Sequence, residues 1–476
     1  MKKKWNESSL VFLACAALLT AACDNGNEPN PQTPVGETFD LGDGSTTFEV
    51  SGHLTLTYPN TYHLKGFVYV VAGATLTIEP GVIIKGDKDS KGTLIIERGG
   101  KLLADGTKEC PIVFTSAASK GSRKPGDWGG LILLGKAPNN QGEMTIEGGV
   151  RSMHGGSDPD DNSGILRYLR IEFAGIEYGT DNEINGLTLG SVGQGTTIDY
   201  VQVTQSGDDA FEWFGGTVNA SHIIAYRTWD DDFDTDNGFS GRIQFALAVR
   251  DPQTGDKSAS NGFESDNNSS GTAIEPFTTA TFANVSIFGP VANPANYVDR
   301  ASEQGSKTDA RFSAGLHLRR STRLSIYNSL VAGFPIGIII ENDKNSLTQT
   351  WAAQGLLNVR NTVIAGVIKT FQDKQYWSNS TVIDPSDNGA FVSPWFQTSA
   401  FGNRIVPSLD ALGLSLIPTV NSPLAFPLTG SLLLTGAGTL PAGFTPTSYA
   451  GAFASALPAA DWTAGWANFS PQTTDY

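Results

Sequence analysis

Two acidic segments of this chain are one pattern written twice. Gly207–Gly216 reads GDDAFEWFGG and Trp229–Gly238 reads WDDDFDTDNG, displaced by 22 residues. Asp208 falls on Asp230, Asp209 on Asp231, Phe211 on Phe233, Glu212 on Asp234 and Gly216 on Gly238. A third copy, Asn261-Gly-Phe-Glu-Ser-Asp266, aligns after an eight-residue insertion around Arg250–Lys257. Side chains alternate along a strand. With Phe211, Phe233 and Phe263 inside, Glu212, Asp234 and Glu264 form one outward row, and Asp232, Asp236 and Asp266 are expected on the same face. Strand spacings of about 4.8 Å and two-residue steps near 6.6 Å place these six carboxylates on a patch of roughly 10 by 14 Å. Like charges facing each other on neighbouring strands are destabilising. A bound cation would offset them, and oxygen-only ligands at alternate positions suit Ca²⁺, a hard ion taking six to eight oxygens. The six are therefore the expected metal ligands, against two other readings of the same residues: a solvated acidic face, or catalytic carboxylates.

The surroundings suggest a ligand. Asp208 and Asp209 stand at the head of the first copy, and the aromatic Phe214 and Trp229 border the acids and offer flat surfaces to a sugar ring. Trp213 shares the parity of Phe211 and is expected in the core. Asp232–Gly238 echoes the start of an EF-hand loop, but no bidentate Glu follows at the twelfth position and no helical frame surrounds it. The five histidines (53, 63, 154, 222 and 317) show no metal-type spacing, and no Gly-x-Ser-x-Gly, Cys–His pair or phosphate loop is present. Arg227, Arg242, Arg319 and Arg320 are the basic residues available to a proton-abstracting mechanism.

What must position these residues is a stack. A period near 22 is too short for a helical-pair repeat and suits one turn of a solenoid whose strands lie on the turn below. From Val70 onward, short β-branched strands alternate with Gly-rich corners. Asn284, Asn328 and Asn361 open a further repeated motif, at a corner where asparagine tolerates left-handed backbone. The 44-residue step from Asn284 to Asn328 reads as two coils. The fold expected is all-β, a right-handed parallel β-helix. Its long excursions fall at 137–165 and 289–312, and an aromatic cap, including Trp462 and Trp466, covers the last coil. Residues 67–136, through VxxGATLTIEPG, GGKLLADGT, PIVFTS and WGGLILLG, resemble the pectate-lyase-like β-helix modules of secreted bacterial proteins. That resemblance implies the fold and is nearly silent on function. Gly207-Asp208-Asp209 and, more loosely, Asp234-Thr-Asp236 resemble polygalacturonases. Their order is reversed here, and the Gly-His-Gly and Arg-Ile-Lys signatures of that family are missing.

The ends and the charge bound the rest. Lys2–Lys4 and the apolar run Leu10–Leu19 form an export signal too short to remain as a membrane span. Leu19-Thr-Ala-Ala-Cys23 resembles the bacterial lipoprotein box, which implies lipidation of Cys23. Residues 1–22 are then the signal, 23–45 a flexible tether, 46–395 the β-helix and 396–476 irregular C-terminal coils and cap. With Cys15 removed and Cys23 lipidated, Cys110 is expected alone. A net charge of −16 argues against nucleic acid. The function expected is that of a lipid-anchored outer-membrane or cell-surface protein, binding an extracellular glycan beside a Ca²⁺-loaded acidic face. The alternatives are a Ca²⁺-dependent polysaccharide lyase or glycoside hydrolase on the same scaffold, and a structural surface protein or accessory of an outer-membrane transporter. Replacing Cys23 by Ser should leave an unprocessed or soluble precursor. Retention of that variant by membranes after a high-salt wash would refute the anchor.

Overall fold

The computed structural model describes residues 36–179, 182–293, 297, 311–376 and 381–476. Cys23, the expected signal and most of the second excursion lie outside them. The chain winds as a right-handed parallel β-helix. Its strands form one 17-stranded and one 11-stranded parallel sheet, and the two small antiparallel hairpins, Met144–Thr145 with Met153–His154 and Glu177–Gly179 with Asn182–Glu183, lie in excursions. Stacking begins at Thr38–Leu41, which pairs with Thr61–Leu64, inside the stretch assigned to the tether. It continues to Arg404–Val406, past residue 395. Among the described residues no helix is long and apolar enough to cross a membrane. Cys110 is disulfide-bonded, which corrects the expectation of a lone thiol.

The acidic repeat stacks in the expected register. Phe211 pairs with Phe233 and Glu212 with Asp234, then Phe233 with Phe263 and Asp234 with Glu264. The three phenylalanines are buried, with ring centroids 5.9 Å and 5.1 Å apart, and Trp213 lies in the same core against Phe211 and Phe239. Phe211, Phe233 and Phe263 thus meet ring on ring from coil to coil, which is how a narrow solenoid excludes water without helices. Gly216 and Gly238 recur because their corner demands it: φ is +92° and +86°, and a Cβ would fall 2.5 Å from the Val192 carbonyl or 2.4 Å from that of Pro276.

A second corner carries non-glycine residues in left-handed backbone: Tyr168, Tyr200, His222, Phe245, Asn284, Asn328 and Asn361, all with φ of 47–61°. The asparagines fulfil the expectation for that corner. Thr281 pairs directly with Ser325, however, so Asn284 and Asn328 sit on neighbouring coils. The 44-residue step is one coil plus an excursion, not two coils. The aromatic members stack face to face, at 4.5 Å for Tyr168–Tyr200, 4.3 Å for Tyr200–His222 and 5.0 Å for His222–Phe245.

The C-terminal segment corrects the expected cap. It runs back along the flank of the stack, and one coil after another clasps it with an amide side chain. Asn361 donates to the Gly436 carbonyl (3.1 Å), and Asn328 exchanges two bonds with Gly438 (2.8 and 3.0 Å). Gln244 does the same with Thr445 (2.8 and 2.8 Å), and Gln202 with Asn468 (2.8 and 2.8 Å). Lys85 reaches the Tyr476 carbonyl at 2.7 Å. Under this strap lies an apolar face including Ile224, Leu247, Phe288, Leu330 and Val363, covered by Leu412, Leu433, Phe453 and Trp466. Trp466 stands edge-on to Tyr168 and Tyr200, and Trp462 edge-on to His222, in the middle of the solenoid rather than at its end. The apolar surface that needs cover is the outer face of the strands, and the strap's aromatic residues settle on it. Trp466→Ala should cost about 3–5 kcal/mol. Hydrogen exchange should then accelerate first in strands Gly164–Glu172 and Thr197–Thr204; loss confined to the final coils would contradict this placement.

Candidate functional site

The acidic strands open into a cleft of about 460 Å³. Ten carboxylates line it: Glu147, Glu183, Asp208, Asp209, Glu212, Asp230, Asp231, Asp234, Asp256 and Glu264, facing only Lys257, Arg319 and Arg320. The floor is the stacked repeat. The walls come from excursions, which bring in Glu147 from 135–163, Glu183 from the 177–183 hairpin, and Asp256, Lys257 and Ser258 from the insertion after Arg250.

The paired acids of the repeat have a structural duty on one side. The Asn185 side-chain oxygen accepts from the Asp209 backbone N–H (3.2 Å), and Asp209 Oδ1 from that of Asp231 (2.7 Å). Asp231 Oδ1 in turn accepts from Asn261, and Asn261 Oδ1 from Ala314 (3.1 Å). One side-chain oxygen per coil therefore staples the next coil, and where the rung is Asp rather than Asn it adds a charge that stapling does not require. Asn185 also donates to Glu212. Behind this corner Arg250, 2% exposed, donates to the Asn261 carbonyl (2.8 Å) and to three successive carbonyls at 228–230, and pairs with Asp232 at 3.1 Å.

That pair is a correction. Asp232 is fully buried and points inward, bonded also by the Thr228 hydroxyl at 2.9 Å; it is not on the acidic face. Alternation holds only inside the strand, which begins at Phe233, and Asp232 sits in the turn before it. Asp266 is likewise neutralised, held by Arg319 (2.8 Å) and Arg320 (2.6 Å). Arg319 also contacts Glu264. Asp236 is half-buried next to Asp234, outside the cleft lining, with its Oδ1 taking the Asn237 N–H. Of the expected metal residues, Glu212, Asp234 and Glu264 are in the cleft, joined there by Asp208 and Asp209. Phe214 packs near His154, and Trp229 lines a different recess. Arg227 pairs with Asp251 in that same recess, and the side chain of Arg242 is outward at another corner, so of the four arginines only Arg319 and Arg320 reach the acids.

Three groups of carboxylates bring ligand atoms within 4.8 Å of one another: Asp208–Asp209–Asp230, Asp209–Glu212–Asp234 and Asp231–Asp234–Glu264. Asp209 and Asp234 each belong to two of them. Burial and mutual repulsion push Asp208, Asp209, Glu212 and Asp230 far above the usual carboxylate range, Asp231 up to about 7 and Asp234 up to about 8. Asp234 Oδ1 is buried with no hydrogen-bond partner. A donor set of carboxylate oxygens, closely spaced, mutually repelling and incompletely bonded, fits a hard divalent cation.

Asp230 and Asp231 were legible as the images of Asp208 and Asp209 in the repeat, although the sequence reading did not count them as ligands. Glu147, Glu183 and Asp256 carried no signal, since nothing local tells which loop folds over which face. His317, one of the histidines without metal-type spacing, pairs in register with the cleft residue Glu264 and is bonded to Glu341 at 2.7 Å.

No curated protein and no solved structure matches the chain. A family model, the pectate-lyase like beta helix domain, matches residues 48–397, which span the whole acidic repeat and most of the stack. The chain belongs to the pectate-lyase-like β-helix family.

Proposed function

We propose that the protein is a non-enzymatic binder at the cell surface, anchored through Cys23, that holds Ca²⁺ in the acidic cleft and captures an extracellular glycan there. The observation that carries this reading is the interlocked set of carboxylates around Asp209 and Asp234. Ten acids facing three basic residues leave a deficit of positive charge that cations offset. A cation held at the surface of such a cleft in turn attracts anionic groups, and uronates are glycan units that carry a carboxylate. Arg319 and Arg320 close one end of the row and add direct carboxylate contacts. The family scaffold suits a glycan-related surface protein and equally a lyase. Service as an accessory of an outer-membrane transporter follows from the anchor and the binding face together.

The enzymatic alternative has one observation in its favour. Burial lowers the pKa of Arg319, and the adjacent Arg320 lowers it further, beside carboxylates able to hold a metal. Incubation with uronate and neutral glycan panels in Ca²⁺ separates the two readings. Retention without turnover supports the binder, whereas unsaturated products or new reducing ends would establish an enzyme.

Two outcomes are expected of the cation. The melting temperature should rise with Ca²⁺, by the equivalent of about 2.7 kcal/mol at a hundredfold excess over the dissociation constant, and less with Mg²⁺, which keeps its waters. Asp209→Asn with Asp234→Asn touches all three carboxylate groups, preserves the amide-type staple at 209, and should abolish the response. A wild type indifferent to Ca²⁺ would mark the cleft as a merely solvated face.

The raised carboxyls also set a pH dependence. In the unfolded chain these acids ionise near pH 4, whereas in the fold Asp231 and Asp234 hold their protons to about pH 7 and about pH 8. Between these limits the folded state binds more protons, so metal-free stability should fall as pH rises from about 4 to about 8. Since Ca²⁺ competes with those protons, its stabilising effect should grow over the same window. Calorimetry with and without chelator at pH 5 and pH 8 checks both signs.

A further inference from the structure

The carboxylates of the cleft include two sets that share no residue. Asp208, Asp209 and Asp230 form one, Asp231, Asp234 and Glu264 the other, and in each set three oxygens lie within 4.8 Å of one another. A calcium ion bound at about 2.3–2.6 Å spans oxygens up to about 5 Å apart, so either set can surround an ion. Ladder pairing places the second set one coil further along the stack, about 4.8 Å. The group Asp209–Glu212–Asp234 draws on both sets and is used up when both are filled. Crowding is not the only sign of a ligand. Asp209 and Asp231 are 6% and 4% exposed, and each gives one oxygen to a backbone N–H of the next coil. Their second oxygens have no hydrogen-bond partner among the described residues, yet they are not sealed off, and both residues line the cleft. Asp208 has no hydrogen bond or ion pair at all among those residues. A buried carboxylate with an unanswered oxygen is costly, and a cation of high coordination number answers several at once.

The two sets differ in what already answers them. The first has no lysine or arginine partner among the described residues, and its side-chain donor is the Ser258 hydroxyl on Asp230, at 2.6 Å. In the second, Nη2 of Arg319 contacts one oxygen of Glu264, and the Asn261 amide donates to the other at 3.3 Å. Both oxygens of Glu264 are therefore engaged, and an ion entering this set must displace a donor. Arg319 is free to yield. Its Nε holds Asp266 at 2.8 Å, and Asp266 has a second partner in Arg320 at 2.6 Å.

We propose that the cleft takes two cations in unequal positions, a tighter one at Asp208–Asp209–Asp230 and a weaker one at Asp231–Asp234–Glu264, where Arg319 is a tethered counter-ion that the second metal must displace from Glu264. This rests on the cation reading of the cleft and adds its stoichiometry and its control. Calorimetric titration of the full-length protein with CaCl₂ at one fixed pH tests it. Two classes of binding are expected, the weaker lost in Glu264→Gln and the tighter in Asp208→Asn, a residue with no bonds to break. Arg319→Gln should strengthen the weaker class about tenfold or more and leave the tighter one unchanged. A single ion in the wild type, or a folded Arg319→Gln whose weaker class is unchanged or weakened, overturns this proposal alone. No calcium binding in the wild type overturns the cation reading with it. Should Arg319→Gln not fold, the two carboxyl variants carry the comparison: each is expected to keep one ion, and loss of both ions in either one overturns the proposal.

Discussion

Everything in this protein follows from the vertical register of a parallel stack. Strands about 4.8 Å apart set each residue above its counterpart, so the choice of residue at one position is repeated along the axis. Inside the coil this repetition is favourable, and Phe211, Phe233 and Phe263 pile into a dry column. Outside it is costly when the residue is charged, because Glu212, Asp234 and Glu264 pile up as well. The same geometry that makes the core inexpensive to build concentrates negative charge on one face, and the site is that concentration left unneutralised.

The contrast between neutralised and unneutralised acids shows how the face was shaped. Asp232 and Asp266 are each matched by arginine, Arg250 in one case and Arg319 with Arg320 in the other, and Arg319 reaches Glu264 as well, whereas Asp234, close to Asp232 in sequence, has no such partner among the described residues. Among the described residues no arginine or lysine pairs with the 208–209 and 230–231 acids. At positions 209 and 231 the backbone staple needs only an acceptor, and Asn185 and Asn261 supply it without charge on the flanking coils. Aspartate in the two middle rungs therefore performs the same structural task and adds a charge that destabilises the empty fold, a pattern expected where function competes with stability.

The stack itself was legible because its signal is periodic and local. A 22-residue offset, alternating parity and left-handed asparagines read directly into register: Phe211 and Glu212 pair with Phe233 and Asp234 as that offset requires, and Asp234 pairs with Glu264 once the eight-residue insertion is counted. Parity failed at Asp232, where a turn replaces the strand and the alternation rule has no force. The 44-residue step misled because an excursion of about one coil's length imitates a coil. The strap was opaque for another reason. Residues 436–476 have no period of their own; their position is dictated by amides at Gln202, Gln244, Asn284, Asn328 and Asn361, five coils whose outward polar residues look individually like ordinary surface.

The strap has a consequence for how the molecule comes into being. Neighbouring coils can zip together as soon as each is made, but Lys85 meets Tyr476 across 391 residues of chain. Until that distant segment has emerged, the flank formed by Ile224, Leu247 and Leu330 has no cover. Before closure the solenoid is therefore a half-finished object with an adhesive side, dependent on holding factors or on speed. Coil order and closure are thus separated in time, so that folding proceeds from one end and is sealed from the other.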